Sequence, residues 1–138
     1  MNVIVCICDN GGMLFNNRRQ SSDKGLLINL SELIVDEALY ISDFSERLFE
    51  ESPICTIASS APLEFAGEGD FVFIENAHIS DYKNKIESLI IYKWNRVYPF
   101  SFSLDLSPEK EGMMLEESID FKGSSHEKIT REIWRNKK

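Results

Sequence analysis

The sequence predicts a single three-layer α/β domain with a mostly parallel sheet, flanking helices and a C-terminal antiparallel hairpin. Short apolar runs alternate with amphipathic segments through the first ninety residues, and their short connections are typical of right-handed β-α-β units. After residue 94 the apolar period becomes two, which indicates antiparallel strands. With 138 residues, 43% of them hydrophobic, and no linker or repeat, the chain suits one domain over 1–138.

Five strands are predicted in the parallel part. The first is the apolar run 3–8, which reads as a strand buried on both faces. Gly11-Gly12 permits a sharp exit through positive φ, and a polar loop is predicted over 16–23. The other four strands are predicted from short apolar runs at 38–41, 54–57, 71–74 and 89–92.

Helices are predicted between these strands. Ser21 or Ser22 is the candidate cap of the first one, whose apolar residues fall at helical spacing. Those residues are Leu26, Leu27, Leu30, Leu33 and Ile34. Further helical segments are predicted over 44–49 after Ser42-Asp43, over 63–66, and from Ser80 through Ile86.

The C-terminal third is predicted to be antiparallel. Residues 100–104 alternate like an edge strand, and 113–121 with 127–134 look like a hairpin around Gly123-Ser124-Ser125. Ser124 with Glu127 also matches a capping box. A helix over 125–135 therefore stays an open alternative to the second hairpin strand.

The composition argues against several classes of binding partner. A net charge of −8 argues against a nucleic-acid-binding surface, because phosphate contacts need clustered Lys and Arg. His78 and His126 are isolated and no Cys pair has zinc spacing, so no metal site is expected. No signal peptide or membrane-length apolar segment is recognisable. We expect a cytoplasmic protein, monomeric or weakly dimeric, that does not bind membranes.

The loop after the first strand is the most informative stretch for function. In α/β folds, ligand sites are commonly built where a buried strand is followed by glycines and a loop rich in hydrogen-bond donors. Arg18 and Arg19 offer guanidinium forks, and Gln20 and Ser21 add donors near a helix start, which suits a carboxylate or phosphate. The structural alternative is that one of these arginines pairs with a neighbouring acid, of which the chain has 23, and that the other is solvated.

Three residues outside this loop are further candidates. Trp94 and Arg96 follow the fifth strand, at the carboxyl edge of the sheet, although Trp94 could equally cap the core with Arg96 stacked on it. His126 is the best single candidate for proton transfer, with an exposed or capping position as the alternative. If this segment is a strand, Ser125 and His126 point to opposite faces and do not meet.

The order of elements resembles dihydrofolate reductase. The local similarities are at 4–12, 23–33, 91–104 and 125–134. The resemblance implies a dihydrofolate-reductase-like fold, and it matches Asp23 to the family's acidic residue on the first helix, which makes Asp23 a second catalytic candidate. The family's dinucleotide glycines are replaced by Ser42-Asp43-Phe44 and Ala58-Ser59-Ser60, so no nicotinamide cofactor is expected.

The chain is also similar to a group of short Firmicutes proteins often named ribonuclease Z. The shared stretches are 15–21, 94–99 and 125–130. That nuclease class needs a histidine-rich motif for a two-zinc site. Two histidines 48 positions apart cannot supply it, so the sequence does not predict that activity.

Three functional hypotheses follow. The first is a site for a small anionic ligand at the carboxyl edge of the sheet, with the question of enzymatic activity left open. The second is an acidic interaction module for a basic protein partner, such as a toxin-immunity protein or an inhibitor of a nucleic-acid enzyme. The third is a reductase scaffold that has lost its cofactor site.

Overall fold

A computed structural model describes residues 1–137, which form ten strands and two α-helices. The strands are β1 (Asn2–Ile7), β2 (Gly12–Phe15), β3 (Arg18–Arg19), β4 (Leu39–Ser42), β5 (Thr56–Ser59), β6 (Phe71–Phe73), β7 (Ser88–Lys93), β8 (Phe102–Ser103), β9 (Met114–Phe121) and β10 (Ile129–Arg135). The helices are α1 (Lys24–Leu33) and α2 (Pro62–Phe65). Two 3-10 helices span Asp43–Phe49 and Ser80–Lys85.

The main sheet has seven strands in the order β5-β4-β6-β1-β7-β10-β9. Its first five strands pair in parallel, and β10 runs antiparallel to both β7 and β9. A small second sheet has the order β3-β2-β8. The predicted α/β class, with a mostly parallel sheet and a C-terminal antiparallel hairpin, is confirmed.

Apolar side chains cover both faces of the main sheet. Ile4 packs with Leu26 and Leu30 of α1 on one face. Its neighbours Val3 and Val5 point the other way, into a cluster that includes Leu63 of α2. This alternation within one continuous apolar run is what a strand between two covering layers requires. It also fixes α1 over the end of β1.

The first loop differs from its prediction. Part of the expected polar loop 16–23 is the hairpin β2–β3, because Asn16 and Asn17 adopt left-handed φ values of 50° and 61° that permit a tight turn. The predicted serine cap of α1 is also wrong. Asp23 is the cap, since its carboxylate accepts from the first free amides of the helix.

The other elements follow the prediction with local corrections. The segments expected as helices after Ser42 and near Ser80 are 3-10 helices without a side-chain cap bond. The edge strand expected at 100–104 is only β8, and it pairs with β2 in the second sheet. The alternative helix over 125–135 is wrong, because β10 buries Ile129 and pairs along its length with β7 and β9.

Candidate functional site

A cavity lies where the carboxyl ends of β1 and β6 meet the start of α1. Cys6 of β1, Phe73 of β6 and Leu26 of α1 contribute to its wall. The cavity is narrow, with a volume of about 20 Å³, which is room for roughly one water molecule. An open groove of about 560 Å³ adjoins it and shares part of its lining. The shared residues are Arg19, Ser22, Asp23, Leu27 and Leu48.

Asp23 is the structural centre of the site. Its carboxylate is 4% exposed and links the start of α1 to the loop before β10. The donors to Oδ1 are the amides of Gly25 (2.7 Å), Leu26 (3.1 Å) and Ser124 (2.9 Å). The contacts of Oδ2 are the Ser125 amide (2.9 Å), Ser125 Oγ (3.2 Å) and His126 Nδ1 (2.9 Å). Asp23 therefore has no lone pair left for a ligand.

These contacts keep Asp23 ionised. Burial alone would raise the pKa of the Asp23 carboxyl, but the Ser125 amide, the His126 ring and the other amides lower that pKa well below its usual range. An ionised carboxylate only accepts hydrogen bonds. His126 must therefore carry its hydrogen on Nδ1, facing Asp23.

The other ring nitrogen of His126 faces two hydroxyls. Nε2 lies 3.1 Å from Ser21 Oγ and 3.0 Å from the Tyr98 hydroxyl. The ring is 5% exposed and stacks on Trp94, with centroids 4.7 Å apart and an interplanar angle of 28°. In the tautomer that carries its hydrogen only on Nδ1, His126 presents the Nε2 lone pair to these hydroxyls. Ser21, His126 and Asp23 thus form a continuous hydrogen-bonded chain.

Arg19 and Glu75 form an ion pair in the wall of the same cavity. Arg19 Nε and Nη2 donate to the two carboxylate oxygens of Glu75, the second at 2.7 Å. Ser45 Oγ also donates to Glu75 at 2.5 Å. The bond to Glu75 is the main reason that the pKa of Arg19 is raised. Among the described residues lining the cavity, Arg19 is the only cation.

Gln20 carries the one unsatisfied acceptor of this wall. Its Nε2 donates to Pro99 O at 3.2 Å and to Cys8 Sγ at 3.4 Å. Its Oε1 is buried and has no partner within residues 1–137. A buried acceptor without a donor costs about 1–3 kcal/mol. This atom marks a place where a bound molecule can supply a hydrogen bond.

The structure brings most of the predicted site residues together. Arg19, Gln20, Ser21, Asp23 and Trp94 line the cavity, and His126 contacts it through Ser21. Two other predicted residues, Arg18 and Arg96, are exposed and lie outside this lining.

Three expectations about neighbours need correction. The stacking partner of Trp94 is His126 rather than Arg96. His126 is buried rather than exposed. Ser125 Oγ lies 3.2 Å from His126 Nδ1, although the two were expected to face apart, because both residues precede β10 in a loop.

Sequence reasoning missed Glu75, Ser45 and Tyr98. Glu75 had a usable signal, because it is a lone acid that follows an apolar strand at the carboxyl edge of the sheet. Ser45 lies in a 3-10 helix and Tyr98 in an irregular segment, and neither position carries a periodic pattern that predicts contact with the site.

Gly123→Ala is expected to destabilise the site. A Cβ on Gly123 would stand 2.4 Å from Asp23 Oδ2 and 2.7 Å from its Cγ, so the carboxylate would have to leave its donors. We expect the free energy of unfolding to fall by about 1–3 kcal/mol in urea titrations. Gly67→Ala is the control, since its nearest atom lies at 3.6 Å. Equal stability of the two variants would contradict the packing described for Asp23.

Residues 1–137 include no group of three or more His, Cys, Asp or Glu side chains placed to hold a metal ion. In the same part of the chain, no helix has the length and apolar character needed to cross a membrane.

Comparison with known proteins identifies a solved structure with a similar fold. No protein-family model and no curated protein matches the chain, so the similarity to the short proteins named ribonuclease Z stays a prediction. Among solved structures, the chain is similar to dihydrofolate reductase from Enterococcus faecalis complexed with NADP(H) and RAB-propyl. The TM-score is 0.69 at 7% identity, over 99% of this chain and 96% of that one. The chain therefore has the dihydrofolate reductase fold.

Proposed function

We propose that the protein binds a small anionic molecule at the carboxyl edge of the sheet, through Arg19, Gln20 and Ser21. The observation that carries this proposal is the unsatisfied buried Oε1 of Gln20 beside the cavity's only cation. A ligand with an anionic group and a neighbouring hydrogen-bond donor would satisfy both side chains.

The ion pair with Glu75 leaves part of Arg19 available. Nε and Nη2 are bonded to that carboxylate, while Nη1 is not. The pair also fixes the plane of the guanidinium, so a ligand does not have to order the side chain. Arg19 thereby offers an oriented donor edge to a carboxylate or phosphate oxygen.

The size of the cavity determines how such a ligand would lie. About 20 Å³ admits one small polar group and excludes a whole metabolite. The adjoining groove of about 560 Å³ has room for the rest, and it carries Lys24 and Arg47 as well as Glu50 and Glu51. We infer that the ligand occupies the groove and reaches into the cavity with one anionic group.

We do not extend the proposal to a dinucleotide. The solved relative is described as a complex with NADP(H). In this chain β4 leads into the 3-10 helix Asp43–Phe49, whose first turn contains the acids Asp43 and Glu46 and no glycine. Phosphates need close backbone amides and a positive field, so these residues do not fit a pyrophosphate.

An acidic interaction module remains the second candidate, favoured by the sheet edge β9. Within residues 1–137 this strand pairs with β10 alone, and six of its eight residues are exposed. Glu116 and Glu117 project from it, although Arg135 and Arg131 of β10 already bind them. Pairing with a basic partner at this edge would leave the cavity unused.

For either candidate a cytoplasmic location stays our proposal, since reducing conditions suit the free thiols of Cys6, Cys8 and Cys55.

A thermal-shift screen tests the ligand proposal. The probes are inorganic phosphate, short mono- and dicarboxylates and nucleoside monophosphates. A probe at about 100 times its Kd stabilises by about 2.7 kcal/mol, which raises Tm by several degrees. We expect Arg19→Lys and Gln20→Leu to weaken the best probe by about tenfold or more, as the loss of roughly 1.4 kcal/mol requires.

Arg18→Ala and Arg96→Ala are the matched controls, because both arginines are exposed and lie outside the cavity lining. We expect them to keep the affinity within about twofold. A screen without any shift, or shifts that ignore Arg19 and Gln20, would reject the proposal and favour the interaction module.

A further inference from the structure

We propose that Ser21, His126 and Asp23 form a hydrolytic site for small carboxylic esters that carry an anionic group. Ser21 is the nucleophile, His126 is the general base and acid, and Asp23 is the positioning residue. This inference rests on the function proposed above, because the ester would enter the same cavity. It adds a reaction class and a substrate class to that function.

The hydrogen-bond chain has the geometry that nucleophilic catalysis by serine requires. Ser21 Oγ lies 3.1 Å from His126 Nε2, and His126 Nδ1 lies 2.9 Å from Asp23 Oδ2. Both distances fall within the roughly 2.6–3.2 Å expected between a nucleophile, its base and the group that orients the base. Ionised Asp23 fixes the hydrogen on Nδ1, so Nε2 is free to take the Ser21 proton.

Burial divides the three residues into a reacting end and a supporting end. Asp23 is 4% and His126 5% exposed, and Trp94 holds the imidazole by stacking. Ser21 is only half-buried and lines the cavity. Thus the hydroxyl reaches the space where a ligand group can enter, while its base and the carboxylate are shielded from water.

Tyr98 is the second hydroxyl at Nε2, and its position separates its role from that of Ser21. Tyr98 lines a neighbouring surface pocket, which shares Arg19 and Gln20 with the cavity. It does not line the cavity that holds Ser21. Of the two residues whose hydroxyls contact Nε2, Ser21 is therefore the one that lines the cavity.

The reaction balances with water as the only co-reactant. Ser21 Oγ bonds to the acyl carbon while its proton passes to Nε2, and Asp23 stabilises the resulting imidazolium. The ester C–O bond breaks, and the leaving alcohol takes the proton from Nε2. Water then attacks the acyl-serine, gives a proton to Nε2 and releases the acid, and Ser21 recovers its proton. Arg19 would stabilise the oxyanion in the cavity, and the anionic group of the ester would then lie in the groove with Lys24 and Arg47.

The test uses the full chain with two chromogenic esters, neutral p-nitrophenyl acetate and anionic 4-acetoxy-3-nitrobenzoate. We expect turnover of the anionic ester and labelling of Ser21 by a fluorophosphonate, detected by peptide mass spectrometry. Ser21→Ala should abolish both signals. His126→Gln should lower kcat/KM by about 100-fold or more, the range for loss of general-base catalysis.

Two variants are matched controls for these changes. Ser118→Ala removes an exposed hydroxyl of β9, and Ser31→Ala removes a hydroxyl of α1; neither residue lines the cavity or the groove. Both should keep kcat/KM within about threefold. Asp23→Asn, tested where circular dichroism shows it folded, should change the pH dependence of kcat as well as its size. No turnover and no label, or a label that survives Ser21→Ala, would overturn the inference.

The two proposals fail separately. Probe binding that needs Arg19 and Gln20, without ester turnover, would reject the hydrolytic site and leave the ligand site standing. The opposite result is turnover that depends on Ser21 and is equal for the anionic and the neutral ester, in a protein that binds none of the anions. It would reject the anion site and leave the hydrolytic residues standing.

Discussion

Asp23→Asn is expected to lower the free energy of unfolding by about 3–5 kcal/mol, the range for leaving buried polar partners uncompensated. The asparagine side chain has nearly the same shape, so packing is preserved. Its amide nitrogen, however, points two hydrogens toward groups that are themselves hydrogen-bond donors. Whichever way it is placed, either the Ser124 amide or the Ser125 amide loses its acceptor, because the two donate to different oxygens of Asp23. Urea titration at pH 7 measures the loss.

The same comparison has a defined pH dependence. The folded protein lowers the pKa of Asp23 below its unfolded value of about 3.9. The stabilisation from Asp23 is therefore complete above that unfolded value and is lost progressively as the pH falls from it toward the lower pKa of the folded state. We expect the difference between wild type and Asp23→Asn to shrink between about pH 5 and pH 2.

Asp36→Asn is the matched control for this prediction. Asp36 is exposed and has a φ of 63°, a conformation that Asn also adopts. We expect its effect on stability to stay within about 0.5 kcal/mol at both pH values. A similar loss in the two variants would mean that the contacts of Asp23 do not stabilise the fold.

Glu75→Gln is expected to lower the free energy of unfolding by about 2–4 kcal/mol. This is somewhat less than for a fully buried ion pair, because the Arg19 side chain is 26% exposed. The neutral amide leaves the Arg19 guanidinium without its counter-charge. Its nitrogen also turns donors toward Arg19 or Ser45. Urea titration again measures the change.

A double-mutant cycle shows whether the pair itself is responsible. Arg19→Met leaves Glu75 as a buried unpaired anion, and we expect a loss of similar size. Arg19→Met with Glu75→Met removes both charges, so its cost should be clearly smaller than the sum of the single changes. Additive losses would contradict the coupling.

The exposed pair Glu116–Arg135 is the contrast. Its side chains are about half exposed, at 49% and 50%. Glu116→Gln should cost much less than Glu75→Gln, because exposed ion pairs contribute little in water. If Glu75→Gln and Glu116→Gln cost the same, burial is not what makes the Arg19–Glu75 pair strong.

The sequence was sufficient for the architecture because strand burial is a local pattern. The continuous apolar run that contains β1 and the alternation over 100–104, which contains β8, each predict a strand type without knowledge of the partner strand. Details set by a few residues were missed. The Asn16-Asn17 turn reads as a polar loop until its left-handed φ values are known.

The site was only partly predictable, because its contacts join distant parts of the chain. Asp23 and His126 were both candidates, yet nothing in the sequence shows that residues 103 positions apart share a hydrogen bond. Arg19 was a candidate for its charge, but its partner Glu75 is 56 positions away. Single residue types could be selected from the sequence, whereas their pairing depends on the sheet order.

The position of β10 between β7 and β9 constrains the order in which the site around Asp23 can assemble. During synthesis, β1 and α1 leave the ribosome long before the segment that binds Asp23. Until β10 inserts, Asp23 lacks its Ser124 and Ser125 donors and His126 is absent from the site. Pairing over such separations is slow compared with local structure. A nascent chain therefore carries Ser21 and Asp23 before it carries the residues that complete their hydrogen-bonded chain.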